Sequence, residues 1–174
     1  MGQEPRLSEE LTYEGRRYLI EWFDPPFVPP WTETTQAYGI CFTDDGSIVL
    51  VENAPGMWQL PGGGIEAGES FEQALAREVI EEACARVLES EYIGCQRVTP
   101  LDGGSSLDGR GAGRAFYHQT RHWARVELDA WDPHHETTAR TLVTPEGFRS
   151  TLWWGAAPHA AVILEHGLRI ERAR

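Results

Sequence analysis

The sequence predicts an α/β chain of the α+β type, with a central mixed β-sheet and helices packed against it. Hairpin signals recur, with apolar residues alternating beside Glu14-Gly15 and a strong two-strand pattern around Asp45-Gly46. Strand-like and helix-like segments also mix without the regular strand–helix–strand alternation of a doubly wound fold.

Residues 1–10, MGQEPRLSEE, read as a flexible tail, and 11–174 as a single domain long enough to bury a substantial core. LTYEGRRYLIEWF forms the first hairpin, with Tyr18, Ile20 and Trp22 alternating. DPPFVPP is too rich in proline to join a central strand, so 11–30 make a hairpin and a connector. QAYGICFTDDGSIVLVE supplies the second hairpin. Ser70 and Gln73 form a capping box, which starts a helix at about Phe71. EYIGCQRV (91–98) reads as a strand and TPLDGGSSLDGRGAGR (99–114) as a long Gly-rich loop. AFYHQTRHWARVEL is a strand with two faces, AWDPHHETTA a loop and RTLVT a short strand. Thr144-Pro145 opens a helix to about Trp153, and Pro158 to His166 makes a last helix stopped by Gly167.

The net charge of −12 disfavours a general electrostatic hold on nucleic acid or an anionic membrane. A polyanionic substrate needs basic side chains or bound cations to approach. Three scattered cysteines, Cys41, Cys84 and Cys95, form no C-x-x-C pair, so neither a disulfide framework nor a zinc ribbon is suggested. The start has no apolar core of a signal peptide and no run approaches a membrane span, so a reduced, cytoplasmic setting is expected.

The stretch LPGGGIEAGESFEQALAREVIEEACAR, 60–86, gathers Glu69, Glu78, Glu81 and Glu82 around three glycines. On a helical wheel Glu78, Glu81 and Glu82 fall within an arc of about 100°, shared or bordered by Phe71, Ala74, Leu75 and Ala85. A solvated acidic face would lie opposite the apolar stripe. Half-buried carboxylates need partners or take up protons. Arg77 is the nearest cation and cannot neutralise four glutamates, so a divalent metal is the economical partner. All-oxygen ligands favour Mg²⁺ first and Mn²⁺ next. On the glutamates alone, a solvated acidic helix is an equal reading.

The wider pattern changes that balance. Gly63, Glu69 and then Arg77-Glu78-Val79-Ile80-Glu81-Glu82 resemble the signature of the Nudix (MutT-like) hydrolases, over 63–85, with the flanking WQLPGG also typical. The family's last glycine is Cys84 here, and its last bulky aliphatic is Ala85. Cys84 either adopts the left-handed conformation, at a cost of about 1 kcal/mol, or the helix runs on toward Val87.

The resemblance implies a Nudix-like α/β/α sandwich and hydrolysis of a pyrophosphate linkage in a nucleoside diphosphate joined to another moiety. That moiety would be a sugar, as in ADP-ribose, or a further phosphate, as in a nucleoside triphosphate. It implies Glu78 and Glu82 as primary metal ligands, with Glu81 as ligand or water-activating base. Glu69 would pair with Arg77 and contact a second metal, while Gly62, Gly63 and Gly64 let the backbone pass close to the helix. Glu136 is the best downstream catalytic carboxylate, ahead of Asp132 and Glu127. Pro100 and the N-terminal hairpin are features shared with ADP-ribose-cleaving members. The expected partner is a small nucleotide, with a homodimer open. The alternative is a non-catalytic Nudix-fold nucleotide sensor, but such modules typically lose a box glutamate and all four are present here.

Other residues carry weaker signals. His118 and His122 share one face of their strand, with Arg121 and Arg125 on the other; strand arginines are more often surface groups than phosphate clamps. His134-His135 read as solvated loop residues, and Trp58, Trp153 and Trp154 as packing residues ahead of base-stacking ones. The 99–114 loop lacks G-K-[ST], so it is no Walker A loop; it is either a lid or unstructured.

Overall fold

The structure, a computed structural model, describes residues 3–103 and 113–174. The lid reading of the 99–114 loop therefore falls largely outside the described residues. Among the described residues, nine strands form one sheet. In chain order they are β1 (Leu7–Tyr13), β2 (Arg16–Phe23), β3 (Thr34–Phe42), β4 (Ile48–Glu52), β5 (Trp58–Gln59), β6 (Gly62–Gly64), β7 (Ala85–Pro100), β8 (Tyr117–Leu128) and β9 (Ala139–Val143). Among the described residues three α-helices accompany them: α1 (Phe71–Ala83), α2 (Pro145–Thr151) and α3 (Pro158–Arg172).

The spatial order is β1-β2-β7-β8-β3-β4-β5, with β6 on β3 and β9 on β4. The β3–β8 pair is parallel and the other pairs are antiparallel, so the sheet is mixed, as expected. Alternation along the strands feeds a core on each face, beside a smaller cluster of Tyr18, Ile20, Val98 and Tyr117. On one face Ala37, Cys41, Val49, Val51, Ala124 and Val126 pack on Ala74, Leu75, Val79 and Ala83 of α1. On the other, Ile40, Phe42, Ile48, Leu50 and Trp123 pack on Phe148 of α2 and Ile163 of α3. The result is an α/β/α sandwich.

Four sequence expectations are corrected. The expected tail 1–10 does not hold over its second half, because β1 begins at Leu7 and pairs with β2 along its length. The strand expected at 91–98 starts at Ala85, since two bulges let β7 follow β8 to its end. Gly167 does not stop α3, which continues to Arg172. A Cβ on Gly167 would stand 3.0 Å from Phe42 Cε2 and 3.2 Å from Ile40, so this glycine lets the helix lie close to β3. Fourth, Arg121 and Arg125 are not surface groups: Arg121 is buried, and Arg125 donates to Thr43 O and to Glu171 Oε2 of α3.

One departure from regular pairing positions the site. β4 stays beside β3 only at Cys41–Val49 and Phe42–Ile48. Beyond that point β6 takes over the edge, pairing Gln36, Ala37 and Tyr38 with Gly64, Gly63 and Gly62. This brings the glycine backbone alongside α1.

Candidate active site

The capping box forms as expected, Ser70 Oγ accepting from Gln73 N and Gln73 Oε1 from Ser70 N, and α1 runs from Phe71 to Ala83. Cys84 ends the helix in the left-handed region, at φ 46° and ψ 52°, so the family's glycine position keeps its conformation with a different residue. Arg140 supports this turn by donating to the carbonyls of Ala83 and Cys84. It supplies a cation at the helix C-terminus, where α1 has no basic residue of its own.

Arg77 organises the near side of the site. Its Nε and Nη2 hold Glu69 at 2.8 and 3.0 Å, and Nη2 also donates to Gly64 O at 2.6 Å. Its Nη1 reaches Glu78 Oε1 at 2.9 Å and Glu81 Oε2 at 3.3 Å. The bidentate bond to Arg77 holds the Glu69 carboxyl below the usual range. Glu69 therefore braces the loop to the helix, as expected of that pair.

Glu78 and Glu82 are both buried. Glu82 Oε2 accepts the Gly62 N–H at 3.0 Å. Burial, reinforced by the charges of Glu78 and Glu136, pushes its pKa up to about 8 despite that bond. The glycines make room for this packing. A Cβ on Gly62, whose φ is 144°, would stand 2.3 Å from Ala37 O, and one on Gly63 would meet the Glu78 carboxyl at 2.6 Å. β-Carbons at these positions would displace the carboxylates or the strand.

A cavity of about 650 Å³ lies over these groups. Glu78, Glu81, Glu82, Arg77 and the three glycines line one end, and the exposed Glu136 faces in from the β8–β9 loop. Asp132 instead pairs with His134, and Glu127 with Arg86 on the far part of β8; neither joins the cavity. His135, Trp153 and Trp154 line it, whereas Trp58 packs against the core. His118 and His122 are buried, and burial lowers both to about 4.

Among the described residues, no three His, Cys, Asp or Glu side chains form a ready-made metal cage. Arg77 occupies part of Glu78 and Glu81. The donor set still suits a hard cation. It is made of oxygens only, Glu82 is buried beside another carboxylate, and the Oδ1 of cavity-lining Asn53 is buried with no hydrogen-bond partner.

The sequence reading missed the sheet floor of the cavity. There Gln36, Tyr38, Gln96, Gln119 and Arg121 form a polar surface from β3, β7 and β8, beside the glycine strand. The only sequence signal was the placement of Arg121 on the strand face opposite the histidines.

The NUDIX domain model matches residues 33–163. A 64-residue segment is 41% identical to the nucleoside triphosphatase NudI of Escherichia coli O139:H28, covering 37% of this chain and 43% of that one. The chain thus spans less than half the length of the curated relatives it matches. Among solved structures, the Bacillus subtilis pyrophosphohydrolase BsRppH superposes with a TM-score of 0.65 at 21% identity, covering 91% of this chain and 94% of that one. An ADP-ribose pyrophosphatase from Streptococcus suis gives a TM-score of 0.50 at 20% identity, covering 76% and 90%. At those identities the superpositions speak for the fold, and the domain match speaks for the family. Three quarters of the chain carries that domain, and the chain belongs to the NUDIX family.

Proposed function

We propose that this protein is a metal-dependent hydrolase that cleaves a pyrophosphate linkage in a nucleoside diphosphate joined to another moiety, a sugar or a further phosphate. The observation that carries the reading is Glu82, buried against Glu78 with a pKa raised to about 8. A carboxylate so placed is unfavourable alone and favourable beside a cation. In this reading Glu78 and Glu82 hold a divalent ion, Mg²⁺ or Mn²⁺, with Glu81 able to join them. When bound, that ion neutralises phosphate charge and lowers the pKa of water.

The chain's own groups do the rest. Glu69 fixes Arg77 and thereby the glycine loop. Gly62 N–H orients Glu82. Glu81 or Glu136, both on the cavity wall, takes the proton of the attacking water, and Trp153 and Trp154 enclose the substrate's far part. Three buried free cysteines fit a reduced, cytoplasmic setting.

The test is nucleotide or phosphate release from nucleotide sugars, nucleoside triphosphates and dinucleoside polyphosphates with Mg²⁺ or Mn²⁺. Glu82→Gln is expected to abolish turnover while preserving the fold. Unchanged rates in that variant would overturn the metal assignment. Silence of the wild type across the panel would replace catalysis with nucleotide sensing.

A further inference from the structure

The cavity has a second polar region. Its glutamates are described above; across β3 from the glycine strand, where Tyr38 pairs with both Gly62 and Arg121, its floor is built around a buried cation. Arg121 is 6% exposed and lies on β8 between β3 and β7. Among the described residues no carboxylate pairs with it. Its Nη2 donates to Gln119 Oε1 at 3.0 Å and to Gln96 Oε1, and its Nη1 to Thr120 O at 3.1 Å. The Nε is buried with no hydrogen-bond partner, and the guanidinium lies 4.7 Å from the Tyr38 ring centre. Burial lowers Arg121 only to about 10, so it stays charged at neutral pH.

A buried, unneutralised guanidinium is costly, and packing alone does not require one. The glutamines add direction. Gln96 and Gln119 turn their oxygens to Arg121, and Gln119 Nε2 donates to Gln36 Oε1. With those oxygens accepting, the cluster has N–H groups left to offer: the second N–H of Arg121 Nη1 and the amide nitrogens of Gln96 and Gln36. All three glutamines are at most 8% exposed, so their orientations are fixed by packing. The floor therefore carries N–H donors and no carboxylate. Its walls are flat and aromatic, with Tyr13 against Trp153 at 5.1 Å and Trp154 stacked on His159 at 4.9 Å.

We propose that the Arg121–Gln96–Gln119–Gln36 floor is a nucleobase subsite that selects an oxo group over an amino group at the exocyclic position of the base. An oxo-bearing base presents an acceptor there; adenine and cytosine present an N–H₂ donor. A donor-lined floor pairs with the first and faces a donor with the second. A site built around such bonds discriminates strongly, because a mismatched ligand leaves its buried polar groups unpaired. The subsite supplies specificity to the proposed hydrolysis and rests on that reading only for its place in turnover.

The test is equilibrium binding of UMP, CMP, GMP and AMP by calorimetry, without metal. The pairs UMP/CMP and GMP/AMP each hold ring size constant. The wild type is expected to bind the oxo member of each pair about tenfold tighter. Arg121→Met is expected to weaken UMP and GMP and so bring both ratios close to one; a merely structural loss would weaken all four together. If Arg121→Met does not fold by circular dichroism, Gln96→Met carries the same expectation of reduced ratios. Equal binding within each pair, no binding of any nucleotide, or ratios that survive in the variants would overturn the subsite. Uniform weakening of all four in a folded Arg121→Met would reassign Arg121 to an anionic group and likewise overturn it. Retained discrimination in a protein that hydrolyses nothing would sink the hydrolase reading and leave the subsite standing.

Discussion

Gly63 and Glu78 are matched in space: a methyl group on Gly63 would stand 2.6 Å from the Glu78 carboxylate carbon. Gly63 pairs with Ala37 in the sheet, while Glu78 projects from α1 between Arg77 and the cavity. The carboxylate can sit there only because residue 63 has no side chain. Gly63→Ala is therefore expected to push Glu78 aside. Glu78 is a flexible side chain, so the melting temperature should move by only a few degrees, whereas kcat/KM should fall roughly 100-fold. Steady-state kinetics beside a melt checks this; full activity would show that the position of Glu78 is unimportant.

Glu82 makes an opposite pair of expectations with and without metal. Its folded pKa of about 8 lies above the ordinary value of 4.5. The sign follows directly: the stability it contributes is fully present below about 4.5 and is lost as pH rises through about 8. Glu82→Gln does not titrate. Without metal the variant should match the wild type near pH 4.5 and exceed it above pH 8, by on the order of 2–4 kcal/mol. Excess Mn²⁺ should then raise the wild-type melting temperature at pH 8 and leave the variant's unchanged. Melts at both pH values, with and without Mn²⁺, read both effects.

The glutamate end was legible in the sequence because it is local. Gly63, Glu69, Arg77, Glu78 and Glu82 lie on one short strand, the loop after it and one helix, so spacing along the chain fixes their relative placement. The Arg121 floor was not legible, since it joins β3, β7 and β8 through partners 25 and 83 residues apart. No local periodicity says which strand face an arginine shares with glutamines from other strands. The β1 start and the extent of β7 were missed for the same reason: β1 is set by β2 pairing and β7 by β8 pairing, not by its own composition. Gly167 was misread because helix-end glycine and close-approach glycine look identical in sequence.

Gly167→Ala tests the close approach. A glycine inside a helix with open space beside it would gain from alanine's higher propensity. In the observed packing the added methyl meets Phe42 at 3.0 Å and Ile40 at 3.2 Å, inside a fully buried core. The expected result is destabilisation by about 1–3 kcal/mol, measured as a lower urea midpoint at unchanged slope. Stabilisation would show that β3 does not need the missing side chain.

Cys84 occupies a left-handed position, with φ 46°, that strains any residue with a Cβ and strains β-branched ones most. Cys84→Gly relieves about 1 kcal/mol of that strain and gives up the packing of a small buried thiol, so its stability should stay near that of the wild type. Cys84→Val adds branching in the forbidden direction and should lose about 2 kcal/mol or more. Chemical denaturation of the two variants ranks them. Equal stabilities would mean that Arg140, which donates to the Ala83 and Cys84 carbonyls, dictates the turn whatever residue occupies it.

His118 and His122 set the acid limit of the fold. Burial holds both near a pKa of about 4, below their ordinary 6.5, so the folded state binds fewer protons than the unfolded chain between those values. The sign is that of a depressed group: its contribution is fully present above about 6.5 and is lost as pH falls toward 4. At pH 5 each neutral imidazole should cost about 2 kcal/mol relative to pH 7. His122 bonds only through Nε2, to Thr120 Oγ1 at 3.2 Å, with Nδ1 unpartnered, so His122→Gln keeps a polar group there and removes the titration. Urea midpoints at pH 7 and pH 5 should show the acid loss reduced by roughly half in the variant. An identical loss in both proteins would place the acid sensitivity elsewhere.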